Sequence, residues 1–277
     1  MAKLTVGKEN GAETQLYFED RGSGAPVVLV HGWPLNGGSW ERQSFALLAA
    51  GYRVITYDRR GFGGSSAPDR GYDYDTMAGD LRKLIEALDL SGVTLVGFSM
   101  GGGELARYMG KYNDDGRVSK CVFISSIAPA LRRDGNNPEG VDPGVFEELK
   151  RSIEKDRYAF LQGFHKSFYN QHVLGHAVSD AKLQADFVVS SQSSYQAMLF
   201  TVDAWLEDFR SDVRSISVPT LVLHGDKDQI VPFEASGARM PKLVPKARLH
   251  VIKDGPHGIL WTHAVEVNKA LLEFVRG

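Results

Sequence analysis

Five short runs of apolar, largely β-branched residues are spread along the chain, at 27–30, 53–57, 93–96, 121–124 and 220–223. Each is four or five residues long and almost continuously apolar, the pattern of a strand buried on both faces of a parallel sheet. Helix-length segments lie between them, at 40–50, 77–88, 105–112 and 262–275. In the second, Leu81, Leu84, Ile85 and Leu88 fall on one helical face. This alternation predicts an α/β fold: a mostly parallel sheet with helices on both sides. At 277 residues and 43% hydrophobic content, the chain can bury a full core without metal or disulfide support.

One interval breaks the alternation. From about 128 to 214 no buried strand is apparent. A loop rich in Asp, Asn, Pro and Gly (132–144) leads into helical patterns at 145–168 and 194–209. So long an insertion is a unit of its own rather than a connection. We therefore expect a core of residues 1–127 and 215–277, with 128–214 as a helical lid over the C-terminal edge of the sheet. The lid holds many of the aromatic residues. Most should glue it to the body, and some should line a cavity beneath it.

Composition narrows the function. Lys and Arg number 32 against 34 Asp and Glu, so neither a nucleic acid nor an anionic membrane surface is the expected partner. A single cysteine, Cys121, permits no internal disulfide and no multi-cysteine metal site, and it reads as a buried thiol. The N-terminal sequence lacks an apolar stretch of signal-peptide length, and the expectation is a cytoplasmic protein.

Gly97-Phe98-Ser99-Met100-Gly101 matches G-x-S-x-G between an expected strand and an expected helix. A strand-to-helix turn this sharp needs glycines, and it pushes the serine hydroxyl out at the sheet edge. A nucleophilic serine needs a base and an orienting carboxylate, in the chain order Ser, acid, His. Two later segments follow strands: His224-Gly225-Asp226-Lys227-Asp228 and Asp254-Gly255-Pro256-His257-Gly258. His257 is the expected base. Asp228, two residues deeper in its loop than Asp226, is the expected carboxylate, and Asp226 is expected to cap the turn. The loop His31-Gly32-Trp33-Pro34 follows the first apolar run, so the N–H groups of Trp33 and Met100 are the expected oxyanion donors. His31 and His224 read as structural. His165, His172, His176, His250 and His263 are not expected to act as the base, and their spacing fits no metal site. Phe160, Phe164, Trp205, Ile230 and Leu260, with the Trp33 side chain, are the expected pocket residues.

With His31-Gly32-Trp33-Pro34, Tyr57-Asp58-Arg59-Arg60-Gly61-Phe62-Gly63, Gly97 to Glu104, His224 to Glu234 and Asp254 to Gly258 in place, the chain resembles the α/β-hydrolase superfamily over its whole length. Within it, the resemblance is to the bacterial cofactor-free (non-haem) haloperoxidases, aryl esterases and γ-lactamases. The resemblance implies Ser99 as nucleophile, Asp228 and His257 completing a triad, Trp33 and Met100 as oxyanion donors, and neither metal nor haem. It implies a small ester or amide, strained lactams included, as substrate, with peroxide able to replace water and give a peracid. Related proteins often assemble, so a homo-oligomer is an implied state. Relatives that open epoxides or remove halogen place Asp where this chain has Ser99, which disfavours those reactions. The alternatives are a lyase or C–C hydrolase using the same three residues and a non-catalytic binding protein on the same fold. A nucleotide enzyme is disfavoured, because Gly97 to Gly103 spells neither phosphate-loop motif.

Overall fold

A computed structural model describes residues 2–171 and 177–277. Eight strands form one sheet: β1 (Ala2–Glu9), β2 (Ala12–Arg21), β3 (Pro26–Val30), β4 (Arg53–Tyr57), β5 (Val93–Phe98), β6 (Val118–Ile124), β7 (Thr220–Gly225) and β8 (Ala247–Ile252). Their order is β1-β2-β4-β3-β5-β6-β7-β8. From β4 to β8 every pairing is parallel, and β1 and β2 join antiparallel at one edge. The five apolar runs are β3 to β7, and their central residues are fully buried, as strands covered on both faces must be.

The β1–β2 hairpin was not among the expected strands. Its turn is Asn10-Gly11, both with positive φ (49° and 82°), the backbone that a two-residue hairpin loop requires and that Asn-Gly adopts readily.

The helices are α1 (Glu41–Ala49), α2 (Tyr74–Ala87), α3 (Met100–Tyr112), α4 (Pro143–Phe168), α5 (Asp180–Ser191), α6 (Tyr195–Ala204), α7 (Arg210–Arg214), α8 (Met240–Leu243), α9 (Ile259–Thr262) and α10 (Ala264–Arg276). Helix α2 starts three residues before the apolar pattern suggested, because Asp73 accepts from the Thr76 N–H at 2.8 Å and caps it. Helices α4 to α7 stand between β6 and β7. Helix α5 has no counterpart in the sequence reading. Helix α4 is interrupted at Asp156 (φ −163°, ψ 91°). Its Oδ1 accepts from the N–H groups of Tyr158 and Ala159, both at 3.0 Å, so the break is a capped restart of the helix.

Register brings the strand ends level. Phe98 pairs with Ile124, Ile124 with Leu223 and Leu223 with His250. Val30 pairs with Gly97 on the other side. The loops after β3, β5, β7 and β8 therefore open at one C-terminal edge, where open α/β sheets place their ligands.

Candidate active site

Ser99 lies between β5 and α3 with φ 54° and ψ −119°, a region that a residue with a Cβ seldom enters. A Cβ on Gly97 would run into the carbonyl oxygen of Gly101, and one on Gly101 into that of Val30. Both motif glycines are thus steric requirements, since strand, turn and helix pack backbone against backbone.

His257 Nε2 is 2.9 Å from Ser99 Oγ. His257 Nδ1 is 2.7 Å from Asp228 Oδ2. The carboxylate accepts, so Nδ1 carries the proton and Nε2 is left to accept the serine O–H. Oδ1 of Asp228 accepts from the N–H groups of Ile230 (2.9 Å) and Val231 (2.8 Å). His224 Nε2 donates to the Val231 carbonyl at 2.9 Å and lies 3.3 Å from Asp228 Oδ2. Burial opposes charge on Asp228. The positive charge available to His257 and the hydrogen bonds from His224 and His257 outweigh it, and hold the carboxyl well below its ordinary range. The His257 ring is flanked by Phe168, edge-on at 4.9 Å, and by Phe98 at 5.1 Å.

The N–H of Met100 is the first of α3, and that of Trp33 follows β3. Among the described residues neither donates to a protein acceptor. His31 holds the second loop. Burial, then the Arg59 guanidinium, push its pKa well below the ordinary value. The neutral ring accepts the Arg59 N–H at Nε2 (2.9 Å) and donates from Nδ1 to the Gly32 carbonyl (2.9 Å).

Ser99 opens onto a cavity of about 660 Å³. Trp33, Phe146, Phe160, Phe164 and Trp205 supply its aromatic wall, and Ser152, Ser167 and Gln229 its polar side chains. Trp33 sits at the centre, 5.0 Å from both Phe164 and Trp205. None of the described residues lining it carries a charge.

The α/β-hydrolase fold family matches residues 25–264. The chain belongs to that family. It is similar to non-heme chloroperoxidase CPO-A1 of Kitasatospora aureofaciens, 40% identical over 94% of this chain and 96% of that one. It is 36% identical to the bifunctional esterase/perhydrolase DCH of Acinetobacter calcoaceticus, over 94% of this chain and 96% of that one. The crystal structure of a bromoperoxidase from Bacillus anthracis superposes with a TM-score of 0.96 at 46% identity, covering 100% of this chain and 99% of that one. The chain is accordingly a hydrolase of the serine type.

In this α/β hydrolase, Ser99, His257 and Asp228 meet in one hydrogen-bonded row, and Trp33, Phe160, Phe164, Trp205 and Ile230 all line the cavity. Leu260 does not. Helix α9 carries it toward α1, where its carbonyl accepts from Gln43 Nε2 at 3.0 Å. Met100 is buried and its side chain is absent from the cavity wall. The turn-capping role expected of Asp226 belongs to Asp228. Asp226 is exposed, and among the described residues only its backbone is engaged, donating to the Ile252 carbonyl at 3.1 Å. The aromatic residues of 128–214 divide: Tyr158 and Tyr195 are exposed, whereas Phe200, also partly exposed, sets its ring 6.2 Å from that of Tyr72 on the body. His165 is buried against Ser190 at 2.9 Å, and His172 and His176 lie outside the described residues. Phe168 and Gln229 also stand beside the site, outside the expected pocket residues. Signals for both existed: Phe168 continues the 160, 164 spacing, and Gln229 follows Asp228. No three His, Cys, Asp or Glu side chains among the described residues group as a metal site would require. No described helix is long and apolar enough to cross a membrane.

Proposed function

We propose that this hydrolase cleaves small, uncharged, apolar esters through an acyl-enzyme. The carrying observation is the row Ser99–His257–Asp228 opening onto an aromatic cavity in whose wall none of the described residues is charged. Ser99 Oγ attacks the acyl carbon as His257 Nε2 takes its proton. Asp228 fixes the tautomer and stabilises the imidazolium. The N–H groups of Trp33 and Met100 hold the oxyanion, each such donor contributing about 3 kcal/mol in comparable sites. His257 returns the proton to the leaving alcohol, then activates the water that releases the acid.

Strained γ-lactams belong to the same reading, because ring strain offsets amide stability. So does perhydrolysis: peroxide attacks the acyl-enzyme in place of water, and a peracid leaves. The esterase/perhydrolase name of one relative supports this. Residues 128–214 act as the lid, since α4 supplies both Phe160 and Phe164 to the wall. A cytoplasmic setting and a homo-oligomeric state complete the reading, and cell fractionation and sedimentation test them.

The deciding comparison is wild type against Ser99→Ala on p-nitrophenyl acetate, with and without peroxide, bromide and a bromination dye. Hydrolysis and dye bromination are both expected to vanish in the variant. Unchanged turnover there would sink the assignment. Absence of turnover in the wild type would turn attention to a lyase or a binding protein.

A further inference from the structure

The proposed oxyanion donors sit on separate segments, Trp33 on the loop after β3 and Met100 at the start of α3. Their spacing matters, because a donor works only within a few tenths of an ångström of the developing charge. Arg59, in the loop just after β4, is 1% exposed and joins the two segments. Its Nε donates to Glu104 Oε2 on α3 at 2.6 Å, and its Nη2 donates to the His31 carbonyl at 2.9 Å. Its backbone N–H donates to His31 Nε2. Glu104 is fully buried and also accepts from the Tyr57 hydroxyl. The Tyr74 hydroxyl donates to the Met100 carbonyl at 3.1 Å. Arg59 and Glu104 both lie outside the cavity wall.

A buried ion pair is a poor device for stability alone. Removing two charges from water costs several kcal/mol per ion, and apolar replacements of similar size are often as stable. What the pair supplies is direction: a planar fork with one arm on α3 and the other on the loop. We propose that Arg59 is a positioning residue that sets the separation of the Trp33 and Met100 N–H groups by bridging Glu104 to the His31 carbonyl. This rests on the acyl-enzyme reading above.

Two variants test it on p-nitrophenyl acetate. Arg59→Lys keeps a cation beside Glu104 and loses the arm to His31. The double variant Arg59→Met/Glu104→Leu replaces the pair with apolar side chains. In both, kcat should fall about 10- to 100-fold, the range for groups that orient a reacting shell. KM should stay within about twofold, and the acid limb of the pH–rate profile should not move. Affinity for a boronic acid, whose Ser99 adduct mimics the tetrahedral intermediate, should fall by the same factor as kcat/KM. The double variant should remain folded with a Tm near wild type. If the folded double variant keeps wild-type kcat, the bridge has no catalytic role. A kcat loss that merely tracks the unfolded fraction, or failure of both variants to fold, assigns the pair to the fold and overturns the proposal. Failure of the underlying reading looks different: Ser99→Ala would then retain turnover whatever Arg59 does.

Discussion

Asp226 and Asp228 are two residues apart in one loop, yet one faces solvent and the other is buried against His257. Asp228 uses both oxygens, Oδ2 on the imidazole and Oδ1 on two backbone N–H groups. Replacing it with Asn keeps the loop-facing oxygen and puts an amide N–H where the imidazole N–H must donate, which reverses the tautomer. Asp228→Asn should lower kcat on p-nitrophenyl acetate about 10³- to 10⁴-fold, by analogy with the same change in serine proteases. Asp226→Asn should stay within about twofold. Steady-state kinetics of the pair checks both, and the reverse order would mean that Asp226, not Asp228, orients His257. That Ser99, Asp228 and His257 meet was legible because it is tied to local pattern: glycines around Ser99, aspartates two apart after a strand, a histidine before a helix. The full cavity wall was not. Leu260 stands three residues after His257, but the turn at Gly258, packed against Phe168 and Tyr169, sends α9 toward α1.

At the scale of elements, α4 shows which helix features carry stability. Asp156 caps the restart of the helix through two backbone N–H groups, so Asp156→Ala should cost about 1 kcal/mol, the usual worth of such a cap. Gly163 lies in the second half, exposed on the cavity wall, and a Cβ there would meet nothing within 4 Å. Gly163→Ala should therefore stabilise the protein by about 0.8–1 kcal/mol through helix propensity. In a chain of this size that is a rise of roughly 2–4 °C in Tm. Calorimetry of the two variants should show shifts of opposite sign, and a loss of stability in Gly163→Ala would mean that the position needs its glycine for packing. Strands β3 to β7 were legible because burial on both faces forces unbroken apolar runs. The β1–β2 hairpin was passed over although Asn10-Gly11 marks its turn, because its strands lie at a sheet edge with exposed residues interleaved. Helix α5 escaped for a related reason: only Asp186 and Ser190 of its residues are fully buried, so no apolar stripe announces it.

Across the whole molecule, histidines held neutral by burial link stability to pH. Burial pushes His165 down to about 4, against a partial pull upward from Asp186, and His31 is also held well below its ordinary value. Each is depressed in the folded state, so the unfolded chain binds the proton first and stability falls as pH drops below about 6.5. For His165 alone the loss between pH 6.5 and 4 approaches about 3 kcal/mol. Urea unfolding over this range should show the decline, and His165→Gln should flatten it. An unchanged slope would place the effect elsewhere. The sequence by itself determined what depends on neighbours along the chain: alternating strands and helices, the steric need for glycines beside Ser99, and the order serine, acid, histidine. Tertiary structure decided what depends on residues far apart in the chain. It brought Ser99, Asp228 and His257 within hydrogen-bonding distance, lined the cavity with described residues none of which is charged, and set Arg59 between Glu104 and the His31 carbonyl. The division has a physical cause. Backbone sterics and burial periodicity act over a few residues and leave a local pattern, whereas hydrogen bonds and packing between loops depend on strand register, which only the assembled sheet fixes.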